Sequence, residues 1–485
     1  MRVLHVASEV APFAQSGGLA DVVAGLPAAQ ANAHGAEVAV LVPLYRGVPE
    51  RLASSGITLE PGTDLPLSVG PHVLAASLRR ATIGRVEHGF LDCPALFDRP
   101  GGLYGPGGAG EWHDNHVRFA ALGKAALVAG ELLLGARPEV LHVHDWQGGP
   151  AAIYARLEPA PRPLIVTTIH NLAYRGIFPK AVMTDIGIPW SVFKPELVEF
   201  WDQVSFLKGA LAMSDVVTTV SPSYAGEIRT PAFGEGLDGF LNHHVKRLVG
   251  IVNGIDTTAW DPATDTHLPA RFSAGSPGAK AECRVALAAE VGLPLADDEP
   301  LIGVIARMTG QKGLDLVAEI APELHELGAR LVVLGAGEQD LEARFRYLGS
   351  AFSEHVSVQI GFDIGLARRI YAGSDLFLMP SRFEPCGLGQ LYAMRYGAIP
   401  IVHAVGGLRD TVIDPGDRGL ALGRGTGITF APATAPALFD AIMRAIALFR
   451  DRRAFAALRG SALSRDSSWI VSASDYLRLY ASLRM

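Results

Sequence analysis

Cysteine is scarce in this chain: Cys93, Cys283 and Cys386 are the only three in 485 residues, and no two form a C-x-x-C pair. That spacing excludes a cysteine zinc cluster and a disulfide-stapled fold, and it fits a reducing compartment. An excess of positive charge is missing too. Lys and Arg number 42 against 49 Asp and Glu, a formal net charge of −7, which gives no electrostatic footprint for nucleic acid or an anionic membrane. No apolar run approaches the ~20 residues that cross a bilayer. The opening Met1-Arg2-Val3-Leu4-His5-Val6 has no charged head, apolar stretch or small-residue cleavage site of a secretory leader. The expectation is a cytoplasmic protein with no nucleic-acid or membrane partner, its oligomeric state left open.

Three catalytic signatures are also absent. No G-x-x-x-x-G-K-[ST] segment occurs, so no nucleotide-hydrolysing phosphate loop is expected. Gly335-Ala336-Gly337-Glu338-Gln339-Asp340 begins like a dinucleotide fingerprint, but Asp340 stands where the third glycine belongs, which demotes a nicotinamide dehydrogenase. No two aspartates lie two residues apart, so the usual acidic clamp for a metal–nucleotide complex is missing. No metal and no cofactor are expected.

The chain is otherwise rich in core-forming residues, 49% hydrophobic against 19% charged. Short β-branched runs alternate with helix-like stretches. Val3–Ser8 and Glu37–Val42 bracket a helix over Leu19–Asn32, and Val140–His144, Leu164–Ile169 and Val216–Val220 follow. After a proline- and glycine-rich stretch the pattern restarts with Leu301–Ala306, Arg330–Leu334, Val356–Ile360, Leu376–Met379 and Ile399–His403. Continuous apolar strands alternating with helices predict parallel sheets covered on both faces. The expected fold is α/β, with two Rossmann-like doubly wound domains facing a central cleft. Their expected limits are 1–249 and 250–450, with a helical segment 451–485 expected to pack back on the N-terminal domain, where Trp469, Tyr476 and Tyr480 could anchor it.

Ligands of such sheets sit beyond the carboxyl ends of the strands, and the chemistry-bearing residues cluster there. Gln15-Ser16-Gly17-Gly18-Leu19-Ala20-Asp21 follows the first strand and opens a helix; its glycines suit either a phosphate contact or a tight turn. Arg307 and Lys312, five apart on one strand exit, can grip a diphosphate or stand as solvated surface charges. In Ser381-Arg382-Phe383-Glu384-Pro385-Cys386-Gly387-Leu388, a carboxylate can accept sugar hydroxyls and the following N–H groups can hold a phosphate. Cys386 has no neighbouring histidine to activate it and reads as pocket lining. His142 and His144 share a strand face and could ligate a metal, but the sequence offers no third ligand at suitable spacing. Asp145, at the strand exit, is the stronger functional candidate, since an unpaired carboxylate facing a cleft is costly.

Taken together, these motifs resemble bacterial glycogen synthases and plant starch synthases. The resemblance runs nearly end to end, through Ser16 to Val22, Phe97 to Gly101 with Tyr104, His142 to Trp146, Thr168 to Tyr174, Phe233 to Gly239, Asn253 to Asp256, Arg307 to Gly313, Ser381 to Gly387 and Gly406 to Val412. It implies a GT-B fold and a retaining hexosyltransferase moving glucose from ADP-glucose to the non-reducing end of an α-1,4-glucan such as glycogen. It also implies catalytic roles for Asp145, His170, Arg307, Lys312 and Glu384. Donor contacts would come from Gln15, Gly17, Gly18, Asn253, Cys386, Gly387, Leu388 and Thr411, and acceptor contacts from Tyr104, Asp145 and Asn171. Broader relatives carry a second glutamate where this chain has Tyr392, which separates it from sucrose- and trehalose-type transferases. One position departs from the family pattern K-[TV]-G-G-L, where the lysine is replaced by Gln15. A UDP-glucose transferase, one using another acceptor, and a donor-impaired glucan-binding paralogue are the alternatives this leaves open.

Overall fold

The apolar runs assemble into two largely parallel sheets. A computed structural model of the chain describes residues 1–107, 110–416, 419 and 424–483. It divides into one unit of Met1–Gly254 with Trp469–Met485 and a second of Ile255–Ser468. The first unit holds strands β1 (Arg2–Val6), β2 (Glu37–Pro43), β3 (Thr63–Asp64), β4 (Ser77–Ile83), β5 (Val86–Asp92), β6 (Val140–His144), β7 (Leu164–Ile169), β8 (Val216–Thr219) and β9 (Leu248–Gly250). They form one sheet in the order β9-β8-β7-β6-β1-β2-β5-β4-β3. Pairing is parallel from β9 to β5 and antiparallel for β5–β4 and β4–β3.

The second unit holds β10 (Leu301–Ile305), β11 (Arg330–Gly335), β12 (Val356–Ile360), β13 (Leu376–Met379), β14 (Ile399–His403) and β15 (Ile428–Phe430). Their order is β12-β11-β10-β13-β14-β15, parallel throughout. Strands such as β6 and β11 are buried at every position, which is why they read as unbroken apolar runs. The parallel part of each sheet reverses its strand order once, between β1 and β6 in the first unit and between β10 and β13 in the second. Loops leaving the paired central strands diverge there, and the gap is where ligands of such sheets bind. The glycine-rich loop follows β1, Asp145 follows β6, Arg307 and Lys312 follow β10, and Glu384 follows β13.

The division differs from the sequence expectation at both ends, falling after Gly254 rather than 249 and after Ser468 rather than 450. Helix Arg452–Leu463 belongs to the second unit, where Phe455, Leu458 and Leu463 join its core. Helix Trp469–Ser482 belongs to the first, where Trp469, Tyr476 and Tyr480 pack with Val3, Val22, Leu26 and Val140. Gly25 makes room for this: a Cβ there would lie 2.0 Å from Trp469 Nε1. Among the described residues, no helix is long and apolar enough to cross a membrane.

Candidate active site

In the second unit, the loops after β10 and β13 are sewn together. Arg382 donates to both oxygens of Asp315, at 2.7 and 2.6 Å, and to Gly310 O at 2.8 Å. Its own N–H donates to Gln311 O at 2.9 Å. Gly313, at φ +65, sits so close that an added Cβ would lie 2.1 Å from Pro380 O. The clamp delivers Lys312 Nζ to Glu384 Oε2 at 2.6 Å, and Ser381 Oγ donates to the same oxygen at 3.0 Å. A cavity of about 190 Å³ opens beside this pair, lined also by Tyr371, Gly387 and Leu388. Gly313→Ala is expected to cost about 1–3 kcal/mol and to displace Lys312; thermal unfolding unchanged from the parent would refute the clamp.

Arg307 is exposed, and its guanidinium has no partner among the described residues. Gly387 adopts φ +74, with Gln390 Oε1 2.5 Å from where a Cβ would stand. Gln390 Nε2 donates to Cys386 O, Gly387 O and Thr411 Oγ1, each at 3.0 Å. Thr411 is fully buried and donates its hydroxyl to Gly407 O at 2.6 Å, so its side chain shapes the Gly387 turn from behind. Cys386 is buried between Glu384 and Gly387 in sequence, both of which line the cavity.

In the first unit, the glycine-rich loop closes on Glu9. Its carboxylate accepts from Ser16 N at 2.7 Å, Gly17 N at 3.1 Å, Ser16 Oγ at 2.7 Å and Tyr104 OH at 2.5 Å. Gly17 N–H is thus engaged, whereas the helix that begins at Gly18 has no side-chain cap, leaving its N-terminal amides for an anion. Tyr104 OH also meets Ser8 Oγ at 2.8 Å. Gln15 Nε2 donates to Asp21 Oδ2 at 3.3 Å. Burial and the nearby Glu9 carboxylate push Asp21 up to about 6. Neither Glu9 nor Asp21 carries a site role in the sequence analysis; their signal is a carboxylate on each side of a glycine turn.

Asp145 begins the helix after β6 with φ +51, a left-handed conformation that costs a non-glycine residue about 1–3 kcal/mol and recurs at functional sites. Its Oδ1 accepts from His170 N at 2.7 Å. Burial pushes the acid up to about 7, against the pull of the His170 and Asn171 amides. Asn171 Oδ1 accepts from Ala173 N at 3.0 Å, so this side chain caps its own turn. Asn253 is buried, and its Oδ1 accepts from no group among the described residues, so it is open to a donor from outside the protein.

The sequence reading discounted a metal at His142 and His144 for want of a third ligand; the structure brings one, His5 of β1, with ring nitrogens of all three within 4.8 Å. The donor set nonetheless reads as a hydrogen-bonded network. His5 joins Gln30 and His144, His144 also joins His170, and His142 joins Thr168 and Tyr480, at 2.6 to 3.0 Å.

Residues 2–243 match the family model described as starch synthase catalytic domain, and 299–447 match glycosyl transferases group 1. A glycogen synthase of Anaeromyxobacter dehalogenans (strain 2CP-C) is 47% identical over 489 residues, covering 100% of both chains. One from Rhodopseudomonas palustris (strain BisA53) is 42% identical, covering 100% of this chain and 97% of its own. The chain belongs to the glycogen and starch synthase family. It is therefore a hexosyltransferase. Among solved structures, the catalytic domain of starch synthase IV from Arabidopsis thaliana, bound to ADP and acarbose, superposes with a TM-score of 0.89 at 34% identity, covering 99% of each chain. Sucrose-phosphate synthase from Thermosynechococcus elongatus, at 17% identity and a TM-score of 0.61, shares the GT-B fold. Tyr392 stacks on Trp260 with ring centroids 3.9 Å apart and belongs to the core of the second unit.

Proposed function

We propose that the enzyme transfers glucose from ADP-glucose to the non-reducing end of an α-1,4-glucan, with retention of configuration, in the cytoplasm. The observation that carries this reading is the Lys312–Glu384 contact beside a cavity at the ends of β10 and β13. The ADP and acarbose of the starch synthase IV structure support the choice of donor. Lys312 has three N–H donors and can serve Glu384 and a phosphate at once. With the exposed guanidinium of Arg307 it neutralises the departing diphosphate, where charge develops in an oxocarbenium-like transition state. In the second unit, Glu384 accepts donor-sugar hydroxyls and the amides after Gly387 take phosphate or sugar, while in the first unit the amides at Gly18 suit an anion. In the first unit, His170 and the unpartnered Asn253 Oδ1 meet glucose hydroxyls, and Asp145 stands near the acceptor. The acceptor hydroxyl attacks from the face the phosphate leaves, and a departing phosphate oxygen takes its proton. Incubation with ADP-glucose and glycogen should release one ADP per glucose added, the new glucose removable by an exo-acting α-glucosidase. ADP release without chain extension would overturn the reading.

Gln15 bears on donor affinity. A charge-assisted contact is worth about 1.5–3 kcal/mol, or roughly ten- to a hundredfold in binding. Gln15→Lys should lower the donor KM by about that factor with little change in kcat, and should draw Asp21, 3.3 Å from the present amide, back toward an ordinary carboxylate. An unchanged KM would mean that this loop does not meet the donor.

A further inference from the structure

The buried network beside Asp145 has a direction. Gln30 Nε2–H donates to Tyr480 OH at 3.4 Å, which leaves Gln30 Oε1 to accept from His5 Nε2–H at 2.8 Å. A neutral imidazole carries one proton, so His5 Nδ1 is bare and accepts from His144 Nε2–H at 3.0 Å. His144 Nδ1, bare in turn, accepts from His170 Nε2–H at 2.9 Å. The other branch agrees: Tyr480 O–H donates to His142 Nδ1 at 2.7 Å, His142 Nε2–H to Thr168 Oγ1 at 2.6 Å, and Thr168 O–H to Thr218 Oγ1 at 2.6 Å. Reversal would require every group from Thr218 to His170 to turn together, the Gln30 amide included.

We infer that Gln30, His5 and His144 are positioning residues that fix His170 as the Nε2–H tautomer, so that its Nδ1 is a bare acceptor for a hydroxyl of the sugar substrate. This rests on the His170–sugar contact proposed above. Three features support it. His170 is half-buried rather than enclosed, and its Nδ1 has no partner among the described residues. His5, His142 and His144 are fully buried. Desolvation holds His5 at about 4, His170 at about 3, and His142 and His144 well below the ordinary imidazole range, so no ring carries the second proton that would break the direction. An acceptor here favours a sugar bearing a hydroxyl and leaves an unpaired nitrogen facing an analogue without one.

The test uses full-length protein labelled with 15N-histidine, with His170 assigned by comparison with His170→Gln. The expected spectrum shows an unprotonated Nδ1 and a protonated Nε2; a protonated Nδ1 would overturn the inference. A second arm needs no spectrum. Buried protonated glutamate reproduces both bonds of Gln30, so Gln30→Glu should keep kcat near the parent value, while Gln30→Met should lower kcat by about tenfold. Equal kcat in the two variants, compared at matched folded fraction, would also overturn the inference. Transfer indifferent to His170→Ala would instead overturn the substrate contact on which it rests, leaving the nitrogen assignment intact.

Discussion

Replacing Lys312 by alanine is expected to lower glucosyl transfer at saturating donor by about 10³-fold, and Glu384→Gln by about 10²-fold. Groups aimed at charge that develops in a transition state each contribute about 10²–10³ in kcat, and that is the role proposed for Lys312. The two side chains also depend on each other. Glu384 has only 8% of its side chain exposed, and Lys312 Nζ lies 2.6 Å from it. Removing the lysine leaves a buried carboxylate with Ser381 Oγ as its side-chain donor, so Lys312→Ala should also lower the melting temperature. The double variant separates the two effects. With the amide of Glu384→Gln in place no unpaired charge remains, and stability should return toward the parent while transfer stays lost. A double variant that transfers glucose normally would remove this pair from the chemistry.

Asp145→Asn should give a protein that is more stable at pH 8 and at least about 10²-fold slower. Each pKa unit of displacement is worth about 1.4 kcal/mol, and burial displaces this acid from 3.8 up to about 7. Between those values the folded state binds a proton that the unfolded state has released. Stability contributed by this group therefore falls as pH rises through that window and is lowest above it. Asparagine keeps an oxygen for the His170 amide and tolerates a left-handed backbone, yet carries no charge to desolvate. Urea unfolding from pH 4 to 8 should show the parent losing a few kcal/mol relative to the variant. Parallel curves would mean that Asp145 ionises freely in the folded protein. A stabilised but slow variant would place this strained acid at the chemistry, since stability is commonly given up at functional positions.

How much of this was legible in the sequence depended on the range of each contact. Val140–His144, Leu164–Ile169, Val356–Ile360, Leu376–Met379 and Ile399–His403 are strands over the expected residues, because a strand buried on both faces writes itself as a continuous apolar run. The antiparallel edge β3–β5 was not read. Ser77–Ile83 carries Arg79 and Arg80 and Val86–Asp92 carries Glu87 and His88, and that mixed polarity blurs the apolar signal. Trp469–Ser482 packs in the first unit, and what no local pattern shows is the space that Gly25 yields to Trp469, more than 400 residues away. His5 likewise meets His144 from a position 139 residues off. Site motifs were legible because strand-exit loops gather chemistry into short segments. What those segments hid was their internal bonding: Thr411 and Tyr104 have their hydroxyls engaged by Gly407 and Glu9, which only the folded geometry reveals.

The central claim is that this family member uses ADP-glucose to lengthen an α-1,4-glucan through the Lys312–Glu384 site. Its most direct test offers ADP-glucose and UDP-glucose separately to the same preparation, with glycogen as acceptor, over a wide donor range, beside the Lys312→Ala variant. The account predicts saturable transfer that favours ADP-glucose and collapses in the variant. Preference for UDP-glucose, or no transfer from either donor by a protein that still binds glycogen, would contradict it.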